Sequence, residues 1–105
     1  SGSATTTTAE GFAWLRENLK NEGVAELPSG LQYKVLDAPE DDAEGPSSDK
    51  RFLYHFEGRL IDGTIFDSSY RRSHPMTWNA REPIAILGLQ EAMQLMRVGG
   101  KTEFY

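Results

Sequence analysis

The run Gly58-Arg-Leu-Ile-Asp-Gly-Thr-Ile-Phe-Asp-Ser-Ser69 decides how the rest of the chain is read. Its centre, Asp62-Gly63, separates Leu60 from a β-prone segment, Thr64-Ile65-Phe66. An Asp-Gly pair between two such segments favours the positive φ angles of a tight hairpin turn. Upstream, Phe52, Tyr54, Phe56, Gly58 and Leu60 alternate with more polar residues, the period of a half-buried strand with one aromatic face.

Downstream, Gly88-Leu-Gln-Glu-Ala-Met-Gln-Leu-Met-Arg-Val-Gly-Gly100 changes period. Leu89, Ala92, Met93 and Met96 recur at i, i+3, i+4 and i+7, which predicts a short amphipathic helix ended by Gly99 and Gly100. Lys101-Thr-Glu-Phe-Tyr105 then resumes alternation as a strand. On the other side, Leu27-Pro-Ser-Gly-Leu-Gln-Tyr-Lys-Val-Leu36 reads as a turn followed by a first strand, with Leu31, Tyr33 and Val35 on one face. Thr8 is placed to cap a helix running to about Asn21, with Phe12, Leu15 and Leu19 on one side, Trp14 on its flank and Gly23 as a stop. That helix either docks on its own domain or links to a partner or dimerisation module. Strands, a short helix and strands again predict an α+β domain.

The chain has 105 residues, a natural single domain, and 11 basic against 16 acidic residues give it a net charge of −5. A nucleic-acid binder would want a basic stripe, so that class is set aside. No apolar run approaches the ~20 residues that span a bilayer, and the chain reads as soluble. The absence of cysteine removes disulfides, thiolate metal sites and cysteine nucleophiles, and leaves the compartment open. Residues 1–8 form a polar tail: a tag remnant, a flexible end, or the start left when a targeting peptide is removed, as in an organelle lumen or periplasm. Residues 9–26 form the helix and a linker, and 27–105 the domain proper. The acidic stretch between Asp37 and Asp49 lacks the ligand spacing of a calcium loop and reads as solvated.

Few residues point to chemistry unaided. Phe52, Phe56, Phe66 and Trp78 read, on spacing alone, as core before site, since alternating aromatics in strands usually are. His55 reads as a strand residue facing away from the aromatics and His74 as a loop residue, with no metal site between them. Ser68 and Ser69 have no base at a nucleophile's spacing, so with Asp67 they predict hydrogen bonding at a strand end. The basic loop Tyr70-Arg-Arg-Ser73 is solvated or paired with Asp67.

Taken in order, His55-Phe56, Gly58, Leu60, Asp62-Gly63, Phe66-Asp67-Ser68-Ser69, Pro75, Trp78, Ala85-Ile86, Gly88, Glu91-Ala92 and Gly99 resemble the FKBP family of proline isomerases. The opening Leu-Pro-Ser-Gly-Leu-Gln-Tyr-Lys-Val-Leu is similar to the macrophage-infectivity-potentiator type, which carries a helix ahead of the domain. The resemblance implies an antiparallel sheet wrapped on a short helix. It covers about Ala9 to Tyr105 and lacks the family's closing third, so the domain reads as incomplete at its C-terminus.

The implied activity is peptidyl-prolyl cis-trans isomerisation on proline-containing polypeptides, in support of protein folding and without a metal or cofactor. Carried over by position, Phe66 and Trp78 are pocket walls, and Phe56 stands in place of the usual Tyr. Asp67 is the polar group at the pocket edge, and the backbone N–H of Ile86 holds a substrate carbonyl. Trp78 and Ala85 line the pocket, Met76 stands where an aromatic is common, and Leu89 replaces a floor Trp. The resemblance extends to a macrolide ligand. The alternative is a catalytically degenerate binding module, or a small subunit completed by a partner chain in a larger assembly.

Overall fold

A computed structural model describes residues 7–72, 74–82, 84 and 87–105. All strand pairing in it is antiparallel, and the chain divides into two compact units, Ser1–Gly45 with Pro83–Tyr105, and Pro46–Glu82.

The first unit begins with helix α1, Ala9–Asn18, whose N-terminus Thr8 caps by accepting the Gly11 N–H at 3.0 Å. The α-helix stops three residues before the predicted end. Beyond it Lys20 and Asn21 donate to carbonyls only three residues back, and Gly23 turns the chain at φ +82°. The buried face also differs from the predicted one. Asn18 is buried, Gly11, Trp14 and Leu15 are half-buried, and Phe12 and Leu19 are exposed. The cause lies in strand β2, Gln32–Asp37, where Gln32 is 1% exposed. Its amide accepts from Asn18 Nδ2 at 3.0 Å and donates to the Leu15 carbonyl at 2.9 Å. A hydrogen-bonded pair fixes the helix face here, and Trp14 packs at 5.7 Å between ring centres on Tyr105.

Strands β1 (Ala25–Glu26), β2 and β7 (Lys101–Phe104) form a three-stranded sheet in the order β1-β2-β7. Tyr33 stands opposite Ala25 on one side and Phe104 on the other. The turn between β1 and β2 is closed by Gly30, at φ +94°, and tied to helix α2 by Ser29 Oγ donating to Glu91 at 2.6 Å. Helix α2, Leu87–Leu95, buries Ala92 and Met93 as predicted, while Leu89 on the same stripe remains 41% exposed. Gly99 lies beyond the helix, in a turn closed by the Gly100 N–H on the Arg97 carbonyl at 3.0 Å.

The second unit holds two ladders. Strand β3 (Phe52–Tyr54) pairs with β6 (Met76–Trp78), and β4 (Glu57–Arg59) pairs with β5 (Ile65–Ser68). The predicted single aromatic strand is thus broken at His55-Phe56, and Ser69 is the reason. Wholly buried, it donates its N–H to the Phe56 carbonyl at 2.9 Å and accepts the Phe56 N–H on Oγ at 2.8 Å. Phe56 is therefore satisfied by the residue after β5, which lets β3 and β4 take different partners. The hairpin turn forms as predicted: Gly63 has φ +92°, and Asp62 Oδ1 accepts the Thr64 N–H at 2.8 Å. These hydrogen bonds hold the fully exposed Asp62 carboxyl below its usual range.

Candidate functional site

The β4–β5 hairpin presents the residues with chemical potential. Asp67 stands in register with Gly58, so the neighbouring Phe66 crosses a strand that has no side chain at the point of approach. A Cβ on Gly58 would lie 2.5 Å from Phe66 Cζ. The ring therefore lies directly over the glycine, yet Phe66 is 58% exposed. Phe66 is therefore an exposed aromatic seated on the hairpin and not part of a core.

Beside it, the half-buried Asp67 accepts the Ser68 N–H on Oδ1 at 2.8 Å and pairs with Arg72 Nη2 at 3.2 Å. Arg72 comes from just beyond the 3-10 turn Ser69–Arg71, which Ser68 caps through its hydroxyl. Its other terminal nitrogen is 3.8 Å from Met76 Sδ. Met76 on β6 is the cross-strand neighbour of Tyr54, and the Tyr54 ring is 6.2 Å from that of Phe56. Phe56, Phe66, Asp67 and Met76 are thus carried by one unit and joined through Arg72 and Tyr54. Burial, with Glu82 second, raises the Tyr54 phenol above its usual 10, while Arg72 opposes the shift.

Trp78 is only 3% exposed, and its indole N–H donates to the Glu82 carbonyl at 2.9 Å. It forms the floor of the β3–β6 ladder opposite Phe52. Leu89 belongs to the other unit, and Ala85 and Ile86 lie outside the described residues. His55 is exposed as predicted, but its ring stacks on Tyr70 at 4.6 Å and its Nδ1 lies 2.9 Å from Ser69 Oγ.

The readings of individual residues from sequence passed over Tyr54. Its signal was the alternation itself, which puts it on the face of Phe56. The first unit has an open apolar cavity of about 230 Å³, lined by Leu27, Tyr33, Val35, Leu95, Thr102 and Phe104. None of these is a predicted site residue, and the lining offers packing surface rather than reactive groups. Among the described residues no group of three potential metal ligands converges, and no helix is long and apolar enough to cross a membrane.

The scaffold is antiparallel α+β and carries an open aromatic ring beside an ion-paired carboxylate. The family model for FKBP-type peptidyl-prolyl cis-trans isomerases matches residues 42–105, and that for the domain amino-terminal to such isomerases matches residues 2–35. The chain belongs to the FKBP-type peptidyl-prolyl cis-trans isomerase family, with the amino-terminal helix of the macrophage-infectivity-potentiator architecture.

It is 42% identical to the peptidyl-prolyl cis-trans isomerase Mip of Coxiella burnetii over 89% of this chain and 39% of that protein. It is 44% identical to the FKBP-type 22 kDa isomerase of Escherichia coli over 90% of this chain and 44% of that protein. The chain thus spans less than half the length of these relatives. Among solved structures, FkpA from Escherichia coli superposes with a TM-score of 0.78 at 30% identity, over 93% of this chain and 44% of the other. A peptidyl-prolyl isomerase from Pseudomonas syringae gives 0.72 at 27% identity, over 98% and 70%.

Proposed function

We propose that the protein is a peptidyl-prolyl cis-trans isomerase acting on proline-containing polypeptides, with residues 27–105 contributing to the isomerase domain and 9–26 supplying helix and linker. The observation that carries this reading is the exposed Phe66 ring seated on Gly58 next to the Asp67–Arg72 pair.

Rotation about an X–Pro bond is slow because it breaks partial double-bond character, a barrier of ~18–20 kcal/mol. It needs no nucleophile and no proton transfer. A surface that strips water from the imide favours the twisted state, in which resonance and charge separation are reduced. Phe66, Phe56 and Met76 supply such a surface. Trp78 supports it from the core, and the family's pattern assigns Leu89, Ala85 and the Ile86 N–H to peptide contact as well. Asp67, partly neutralised by Arg72, orients the peptide without carrying an isolated charge into an apolar site.

Isomerisation of a short proline-containing peptide by the full-length natural protein tests the proposal. Acceleration that falls in Phe66→Ala and Asp67→Ala is expected. A folded protein giving no acceleration overturns it. Phe56, without the hydroxyl of a Tyr, and the open Leu89 favour a second reading, a binding module. It is distinguished in the same experiment by a peptide that binds and is not turned over.

A further inference from the structure

We infer that Tyr54 is a substrate-facing hydrogen-bond donor of this site, its phenol serving a backbone carbonyl of the bound X–Pro peptide, and this inference rests on the isomerase reading above. Three observations converge on it. Tyr54 and Phe56 are both half-buried while Leu53 and His55 between and before them are exposed, so the two rings share a face and approach to 6.2 Å. Tyr54 is paired across the ladder with Met76, whose sulfur is contacted by the same Arg72 that holds Asp67. The phenol therefore belongs to the Phe56, Met76 and Asp67 surface and not to the remote edge of the sheet. No group among the described residues hydrogen-bonds its hydroxyl, although Trp78, the other polar aromatic of these two ladders, spends its indole N–H on Glu82.

A half-buried phenol with unspent donor capacity is unusual in a well-ordered sheet, where such hydroxyls find a partner. The remaining donors nearby are committed, since Arg72 faces Asp67 and Arg51 pairs with Glu82. Tyr54 is left as a neutral donor on the face it shares with Phe56. Burial and the Glu82 carboxylate keep it protonated to beyond its usual 10, so it presents a hydrogen and not a phenolate to an incoming carbonyl. A neutral donor suits a reaction in which the carbonyl carries no full charge at any stage.

The test uses the full-length natural protein, a short proline-containing peptide, and the variants Tyr54→Phe and Tyr54→Phe/Phe56→Tyr. One neutral hydrogen bond corresponds to a fall in kcat/KM of about 3- to 10-fold in Tyr54→Phe, with the melting temperature unchanged. Phe56→Tyr, which returns a hydroxyl to the same face, is expected to recover about half or more of that loss. A Tyr54→Phe enzyme within about twofold of the parent overturns the inference and leaves the isomerase reading standing. So does a loss of activity that tracks a lowered melting temperature and is not recovered by the second substitution. If the parent binds the peptide without turning it over, the same 3- to 10-fold is read in peptide affinity. A parent that neither binds nor accelerates overturns the isomerase reading and this inference together.

Discussion

Gly58→Ala isolates the geometry on which the site depends. Ordinary van der Waals contact begins near 3.4 Å, whereas the new Cβ would meet Phe66 Cζ at 2.5 Å, Cε2 at 2.9 Å and Cε1 at 3.0 Å. The ring must therefore retreat by about 0.9 Å. Phe66 is open to solvent on its far side, so it is free to do so, leaving its rotamer at a cost of about 0.5–1.5 kcal/mol. Gly58 sits in a strand at negative φ, where alanine regains about 0.5–1 kcal/mol of backbone entropy. The two terms nearly cancel, and the folded state survives. Function does not, because a displacement approaching 1 Å at a positioned group costs up to ~100-fold in rate. The exposed part of the ring, roughly 100 Å², is also worth about 2–3 kcal/mol when a ligand covers it. The expected outcome is a fall in kcat/KM of about 10- to 100-fold with a melting temperature shifted by only a few degrees. The control is Phe66→Ala, in which Gly58→Ala should add nothing, a coupling that the double-mutant cycle measures directly. If Gly58→Ala depresses activity equally with and without the ring, or unfolds the protein, the glycine is not acting through Phe66 and the reasoning fails.

Removing Gln32 tests the polar latch on α1. Gln32→Leu strands the buried Asn18 amide and should cost about 1–3 kcal/mol in denaturant unfolding, whereas adding Asn18→Leu should restore part of it; strictly additive losses would contradict the pairing. Thr8→Ala removes the cap of the same helix and is expected to cost about 1 kcal/mol, read by the same unfolding curve. The Tyr105 phenol is pushed up to about 12 by burial, with Glu103 hydrogen-bonded beside it. The folded state therefore holds a proton that the unfolded state releases, so its contribution is complete below pH 10 and is lost as pH rises toward 12. Melting followed across that window should show the decline in the parent and a smaller one in Tyr105→Phe.

How far the sequence could be read depended on the kind of interaction. The hairpin at Asp62-Gly63 and the buried Ala92 and Met93 of α2 were legible because turn chemistry and apolar period are local properties. The face of α1 was not. Its inward residues are Trp14, Leu15 and Asn18, and the side-chain amide of Asn18 finds its partner fourteen positions away in Gln32, a pairing that hydrophobic periodicity does not register. The break at His55-Phe56 was hidden for the same reason: the pattern predicted hydrogen bonding by Ser69 at a strand end, but not that its partner would be Phe56, thirteen positions away. In the site, family position gave Phe66 and Asp67. The openness of Phe66, the burial of Trp78 and the free hydroxyl of Tyr54 are outcomes of packing and could only be seen in three dimensions.

Those same features set how the activity should depend on pH. Rotation about the imide moves no proton, so no general acid or base of the reaction titrates in the profile. On the alkaline side the titration expected to matter belongs to Tyr54. Its phenol is raised above 10 by burial and by Glu82, against the opposing effect of Arg72, so the donor form persists through neutral and mildly alkaline pH. The rate should be level there and fall only beyond pH 10, where the phenolate offers no hydrogen and repels the carbonyl oxygen. Measuring kcat/KM in a Tyr105→Phe background, at each pH where circular dichroism shows the folded state, separates this limb from the loss of stability. Tyr54→Phe should then run lower and stay level. An alkaline limb unchanged by Tyr54→Phe would place its origin in another group.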